Sequence, residues 1–310
     1  MISFKTLKGS AGTVAAYVEH MQQSERPRGG EPVGYYADRA PSEWHGSLAA
    51  ELGLSGEVDT AELTRLLDGE GFDMRNTTAT RRLGTDLTFS APKSVSIAAL
   101  SGDGDPELIA AHDAAVKTAL DYLEAEAVES RRGAGGVNRE KTGNLVAASF
   151  RHEDSRPVDG IADPGLHTHN VVANVTKTET GEYRTISFDF GKDAERLHLS
   201  DAIYKAELAA HARRLGYGIE ETEHGFELVG ITDEQRAAFS RRTAQVEAMD
   251  GKTKDATLAS REDKAQIGRA EQRTEVAHRA AEMGIEAVTL RTAERAAQAA
   301  AEAAGGDARA

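Results

Sequence analysis

The run Leu166-His-Thr-His-Asn-Val-Val-Ala-Asn-Val175 constrains this chain more than any other segment. It is rich in β-branched residues and is entered from the turn-forming triplet Asp163-Pro164-Gly165, so it reads as a strand. Side chains alternate across a strand, which places His167 and His169 on one face, continued by Val171, Ala173 and Val175. The segment Asn144-Leu-Val-Ala-Ala-Ser-Phe-Arg-His152 reads as a second strand. Paired with the first as a hairpin, across a loop that carries Pro157 and two glycines, it brings His152 to the same place. Neutral imidazole is the commonest transition-metal ligand, and three of them leave coordination positions open for a substrate oxygen. His152, His167 and His169 are therefore candidate ligands of a catalytic style of metal site. The plainer alternative for His-x-His is a chance pair on a half-buried strand, and His152 moves the balance towards a ligand set. The remaining histidines, His20, His45, His112, His198, His211, His224 and His278, are scattered and read as surface or packing residues.

Asp86-Leu-Thr-Phe-Ser-Ala-Pro-Lys-Ser94 begins as an alternating strand and ends in a Pro turn with a basic residue. Asp86, at the start of that strand, would either hydrogen-bond a ligand imidazole and fix its tautomer or accept the proton of a nucleophile. Taken alone it reads first as an ordinary turn or strand-edge residue. Lys93 and Ser94 are candidates for phosphate contact. Near the N-terminus stand Tyr17, Tyr35 and Tyr36. A phenol with pKa near ~10 is a poor nucleophile, but a nearby metal and base would activate it and give a phosphotyrosine ester. Tyr17 follows the small-residue segment Ala11-Gly-Thr-Val-Ala-Ala16 and reads as lying in the first turns of a helix. Tyr35 and Tyr36 follow the flexible stretch Ser24-Glu-Arg-Pro-Arg-Gly-Gly-Glu-Pro32. Without the histidines, all three tyrosines would read as packing residues.

The blocks Tyr35-Tyr-Ala-Asp38, Ser42-Glu-Trp-His-Gly46, Glu51-Leu-Gly-Leu-Ser-Gly-Glu-Val58, Asp86 to Ser96, Arg151-His152 and Leu166-His-Thr-His169 follow one another in a known order. Together they resemble the relaxase domain of the MobF-class conjugative relaxases, the TraI/TrwC type within the HUH endonuclease superfamily, over about residues 1 to 235. The resemblance implies a site-specific single-stranded DNA endonuclease and strand transferase that nicks a plasmid transfer origin. Tyr17 would attack the scissile phosphate and keep the 5′ phosphate, leaving a free 3′ hydroxyl. His152, His167 and His169 would hold a divalent metal, Mg²⁺ or Mn²⁺, with Zn²⁺ or Ni²⁺ as in-vitro substitutes. Asp86 matches the family aspartate beside them, and Tyr35 or Tyr36 matches the second tyrosine pair, which serves a second strand transfer. In this chain Tyr17 is followed by Val18, where relatives often carry a tyrosine doublet. Implied partners are transfer-origin DNA, relaxosome accessory proteins and a type IV secretion coupling protein. The implied setting is the bacterial cytoplasm, with translocation to the recipient cell on the DNA.

Charge is the strongest objection to a DNA partner, because the chain carries a net −14. Residues 101–130 hold eight acids against Lys117, on what reads as one solvated helix starting at Asp105-Pro106. Arg131, Arg132, Arg139, Lys141, Arg151 and Arg156, and separately Arg81, Arg82 and Lys93, read as local basic clusters that would follow a strand. Their plain alternative is a set of solvated faces. With no cysteine, disulfides and thiolate metal sites are excluded. No long apolar run or signal-peptide pattern occurs, so the expectation is a soluble, cytoplasmic chain without membrane insertion.

Helical periodicity over residues 109–127, a helix over 199–215 and hairpin-like pairs without strict βαβ alternation predict an α+β fold. Its expected form is an antiparallel β-sheet palm with flanking helices. Residues 1–235 would form the strand-transferase domain. From about Thr232 alternating charges and alanine predict a helical extension over 236–310, either fingers over DNA or a linker towards a helicase. No Gly-x-x-x-x-Gly-Lys-Ser/Thr phosphate loop occurs in this sequence. Two other readings compete. One is a single-stranded DNA-binding module without catalysis, whose tyrosines stack on bases. The other is a rolling-circle replication initiator, in which the histidines usually precede the tyrosine, the reverse of the order here.

Overall fold

A computed structural model describes residues 2–9, 11–22, 40–72, 82–101, 104–159, 161–187, 194–248, 269–285 and 290–291. Strand β1 (Ile2–Lys8) and helix α1 (Ala11–Gln22) open the chain. After them come β2 (Ser42–His45), α2 (Ser47–Glu51), α3 (Thr60–Asp68), β3 (Arg82–Ser90), α4 (Lys93–Leu100) and α5 (Pro106–Ala127). The small hairpin β4 (Glu129–Arg132) and β5 (Asn138–Lys141) leads into β6 (Ala147–Asp154) and β7 (Pro164–Ala173). Two short strands, β8 (Thr176–Lys177) and β9 (Tyr183–Arg184), precede α6 (Ala194–Leu215). The hairpin β10 (Ile219–Thr222) and β11 (Gly225–Leu228) follows, then α7 (Asp233–Ala238), α8 (Arg241–Ala248) and α9 (Arg269–Glu282).

The local chemistry accounts for the helix ends. Asp59 and Asp105 each accept two backbone N–H groups as N-caps of α3 and α5, and Pro106 fills the first turn of α5, where its missing donor costs nothing. Gly69 closes α3 in the left-handed conformation that a side chain would disfavour. Thr232 and Gln235 cap α7 reciprocally as a capping box.

Five strands pair antiparallel in the order β1–β3–β7–β6–β2, and helices cover both faces. The expected α+β fold with an antiparallel sheet is the one the chain adopts. One apolar core joins Leu87, Phe89 and Val172 to α4, α5 and α6; the other joins Trp44, Phe150 and Val171 to α1 and α3. Because both faces are covered, β7 is buried almost throughout.

Three expectations need correction. The acid-rich segment is not a solvated helix: α5 buries Leu108, Ala115, Val116, Leu123 and even His112 and Glu124 beneath the sheet. Glu107, Asp113, Asp121 and Glu126 lie on the outer face, while burial of the inner face sets its position. Lys93 and Ser94 do not face a phosphate path. Lys93 donates to the Pro164 carbonyl at 2.8 Å, and its burial lowers its pKa. Ser94 donates to the Glu227 carboxylate and accepts from the Leu228 N–H at 2.7 Å, so the pair fastens α4 to β7 and β11. Asp86 sits in the middle of β3 rather than at its start, because pairing with β1 on one side and β7 on the other carries the strand back to Arg82.

Beyond Thr232 the described helices pack on the palm. Val276, Ala280 and Ile285 enter the core beneath α4. Arg241 and Arg279 both bond the buried Asp163, at 2.8 and 3.0 Å, in the loop that joins β6 to β7. Arg273 bonds Glu153 at 2.8 Å.

Gly46 turns the chain from β2 into α2 with φ +104°, and a Cβ there would lie 2.2 Å from the Leu145 carbonyl oxygen. Strain and overlap act together, so Gly46→Ala should cost about 2–4 kcal/mol. Urea unfolding checks this; a loss under about 0.5 kcal/mol would contradict it.

Candidate active site

The hairpin of β6 and β7 places His152 directly opposite His167 and Phe150 opposite His169. All three imidazoles therefore project from one sheet face, as the alternation predicted. Their ring centroids lie 5.2–5.3 Å apart pairwise, and one nitrogen from each falls within 4.8 Å of the others. His167 donates from Nδ1 to the Gly165 carbonyl at 2.7 Å, and His152 donates from Nε2 to the Met21 carbonyl at 3.0 Å. His169 donates from Nδ1 to Asp86 Oδ2 at 2.8 Å. These bonds fix the tautomers, leaving Nε2 of His167 and of His169 as the lone-pair nitrogens. Three neutral nitrogen donors fit a divalent transition ion.

Tyr17 reaches this face from α1 and donates its hydroxyl to Asp86 Oδ2 at 2.5 Å. One carboxylate oxygen thus takes both the tyrosine and the His169 hydrogen bonds. Asp86 itself is 3% exposed. Burial first, and then the Asp86 charge and its hydrogen bond, push the Tyr17 pKa far above the phenol range. At rest the hydroxyl is protonated, and the carboxylate is its nearest acceptor. Tyr17 lies in mid-helix rather than in the first turns. Tyr35 and Tyr36 fall outside the described residues.

Two neighbours escaped the sequence reading. Thr88, two residues along β3 and so on the same face, has its hydroxyl 3.0 Å from His169 Nδ1 and 3.4 Å from Asp86 Oδ1. The period-two rule applied to Asp86 would have found it. Lys5 stands opposite Asp86 in the β1–β3 register, with its ammonium 4.9 Å from the Tyr17 ring centroid. Its signal, the alternation of Ile2-Ser-Phe-Lys-Thr-Leu-Lys8, is weak because β1 is an edge strand with most of its residues exposed.

The strand between the two β7 ligands is pinned from behind. Thr168 points to the opposite face, where its hydroxyl lies 2.9 Å from His112 Nε2; His112 Nδ1 lies 2.8 Å from the Tyr204 hydroxyl. Burial, with smaller contributions from Arg151 and His167, pushes the His112 pKa down to about 3. A histidine held neutral adds stability that is complete above its unfolded pKa of about 6.5 and is lost as pH falls towards the folded value. Wild-type stability should therefore drop below pH 6 more steeply than that of His112→Gln, by up to about 1.4 kcal/mol per pH unit. Parallel slopes in denaturant titrations from pH 7 to 4 would sink this account.

The expected basic clusters are largely spent on neighbours. Arg132 pairs with Glu140, Arg139 with Glu129, Lys141 with Glu126, and Arg151 with Asp113. Arg82 donates to Asn174 and to the Ile186 carbonyl. A count of charges along the sequence cannot register such pairing, which the β4–β5 hairpin and α5 create.

The fold is that of the class that the motif order resembled, the conjugative relaxases. The family described as TrwC relaxase matches residues 11–283, and the chain belongs to it. The multifunctional conjugation protein TraI of Escherichia coli is 39% identical over 279 residues, covering 84% of this chain. The chain spans about 14% of the length of that relative. Among solved structures, the conjugative relaxase TrwC in complex with oriT DNA, in a copper-bound form, superposes with a TM-score of 0.78 at 37% identity. That match covers 93% of this chain and all of the other. TrwC complexed with a 27-mer DNA comprising the recognition hairpin and the cleavage site gives 0.76 at 35% identity, with the same coverage. Among the described residues, no helix is long and apolar enough to cross a membrane.

Proposed function

We propose that this chain nicks and rejoins single-stranded DNA at a plasmid transfer origin by tyrosine transesterification. The observation that carries the proposal is the Tyr17 hydroxyl held on Asp86 Oδ2, the oxygen that also orients His169. In the forward step the Tyr17 oxygen bonds to the scissile phosphorus as the bond to the 3′ oxygen breaks, and the phenolic proton passes to Asp86. The 5′ side stays on the protein as a phosphotyrosine ester, and the 3′ oxygen leaves as a hydroxyl by taking up a proton from water, with Asp86 giving its own back to solvent. One phosphodiester replaces another, so the reverse reaction rejoins the strand without ATP. A divalent cation on His152, His167 and His169, Mg²⁺ or Mn²⁺ in this proposal, would offset the charge developing on the phosphate oxygens. Lys5 adds a positive charge beside Tyr17. Tyr35 or Tyr36 would serve a second transfer.

In the same reading residues 1–235 form the strand transferase and 236–310 a helical extension over the DNA. The ties from Arg241, Arg273 and Arg279 to the β6–β7 end support a close association of the two. Relaxosome accessory proteins and a secretion coupling protein would be partners in the bacterial cytoplasm, before the DNA-bound protein enters the recipient.

The test uses labelled single-stranded oligonucleotides tiled across the transfer origin of the parent plasmid, with Mn²⁺ or Mg²⁺, on a denaturing gel. A protein-linked band that EDTA and His167→Ala/His169→Ala both remove is the expected result. Tight binding without any linked band, from folded protein, would instead favour a DNA-binding module.

A further inference from the structure

The geometry points to a second divalent-cation site, formed by His45, Asp121 and Glu124 on the sheet face opposite the histidine triad. Trp44 packs towards α1 and α3, so its neighbour His45 projects to the other side, towards α5. Asp121 and Glu124 stand three residues apart on α5 and share one face of it. One donor atom from each of the three residues lies within 4.8 Å of the others. The sequence alone left His45 among the surface or packing histidines.

Three observations distinguish this cluster from an ordinary ion pair. His45 Nε2 lies 3.1 Å from Asp121 Oδ1, yet it is buried and makes no hydrogen bond. Two ligand atoms bound to one cation stand roughly 3–3.5 Å apart, and neither donates to the other. That is the relation seen here. Next, Glu124 is a fixed carboxylate: the Ser47 N–H and hydroxyl, both at 2.7 Å, and the Leu145 N–H at 2.9 Å all donate to Oε1. Oε2 is left as the oxygen for a ligand. Finally, the three groups come from two elements that pack on each other, His45 from edge strand β2 and the two carboxylates from α5, so the donors converge from different directions.

One neutral nitrogen and two carboxylates form a donor set that a dication neutralises, with positions left for water. Asp121 is 58% exposed, so water reaches the site from that side, and a cavity of about 270 Å³ runs past His45 and Lys117. Lys117, one turn before Asp121, is the group a bound cation would have to outcompete. Glu43, which also lines that cavity, adds to the negative surroundings. An ion here would tie edge strand β2 to α5. Through the β2–β6 pairing it would brace the strand that carries His152. The site is independent of the proposed DNA chemistry.

The full chain without an affinity tag, stripped of metal, is dialysed against Zn²⁺ and its metal content measured. The His167→Ala/His169→Ala variant removes the triad from the count. In that background one Zn²⁺ per chain is expected, and none once His45→Gln and Asp121→Asn are added. Co²⁺ in the same background should give visible absorption bands that the added changes abolish. Absence of Zn²⁺ from the folded triad variant overturns the proposal, and so does one Zn²⁺ that survives His45→Gln/Asp121→Asn. Asp121→Asn alone, at an exposed position, guards against misfolding: with an unchanged melt it should weaken Zn²⁺ binding at least about 100-fold. Unchanged affinity in that variant also overturns the site. Failure of the triad to bind metal would leave this count untouched, so the two metal assignments stand or fall separately.

Discussion

Tyr17→Phe is expected to form no covalent adduct with transfer-origin DNA, a loss of at least about 10⁴-fold in adduct rate, while still binding the oligonucleotide. The substitution removes one oxygen and leaves the ring, its packing beside Val18 and its place under Lys5. It also deprives Asp86 of a donor. A buried charge-assisted hydrogen bond of this kind is worth about 1.5–3 kcal/mol, so a modest fall in stability should accompany the loss. Stability and chemistry are separable by measuring both: a melt within a few degrees alongside an absent adduct assigns the nucleophile. An adduct that persists in Tyr17→Phe moves the nucleophile to Tyr35 or Tyr36, which peptide mapping of the DNA-linked fragment would locate.

Asp86→Asn should reduce the single-turnover rate by about 10²–10⁴-fold, because an amide cannot take the phenolic proton. The same change replaces the charged acceptor of His169 Nδ1–H by a neutral amide oxygen, so metal affinity should fall about 10–100-fold. The direction of the pH response separates these losses. In the wild type the Asp86 charge helps to hold the Tyr17 pKa up. Removing that charge makes the phenol more acidic, so the variant at saturating metal should recover rate as pH rises. A rate within threefold of wild type at neutral pH would remove Asp86 from the proton path. A metal affinity equal to wild type would remove it from the support of His169.

What could be read from the sequence follows from how local each signal is. The triad was legible because both strands carry clear turn and β-branch signals and the alternation fixes the face; the register His152 to His167 then follows from the hairpin. Strands β1 and β2 were not found, since each is a sheet edge and β2 has only four residues. Helix α4 hid for the opposite reason. Ser94 to Leu100 are all buried, so the segment has no polar face and no period to detect. Lys93 looked like a phosphate contact because its partner, the Pro164 carbonyl, is 71 residues away in the chain. The pairing of the basic clusters was hidden likewise, since Arg151 meets Asp113 only once α5 lies across the sheet.

The double arginine hold on Asp163 makes the far end of the chain part of the spacing between the strands that carry the histidine triad. Asp163 lies at the entrance to β7, is 2% exposed, and forms ion pairs with Arg241 and Arg279, both from beyond residue 235. A chain cut there would leave a buried carboxylate unneutralised, at a cost of about 3–5 kcal/mol, and would slacken the loop leading to His167. Tension works the same way: a pull on α9 is carried by two guanidinium contacts straight to the root of β7. In mechanical terms the last helices are a tether on the hairpin that carries His152, His167 and His169.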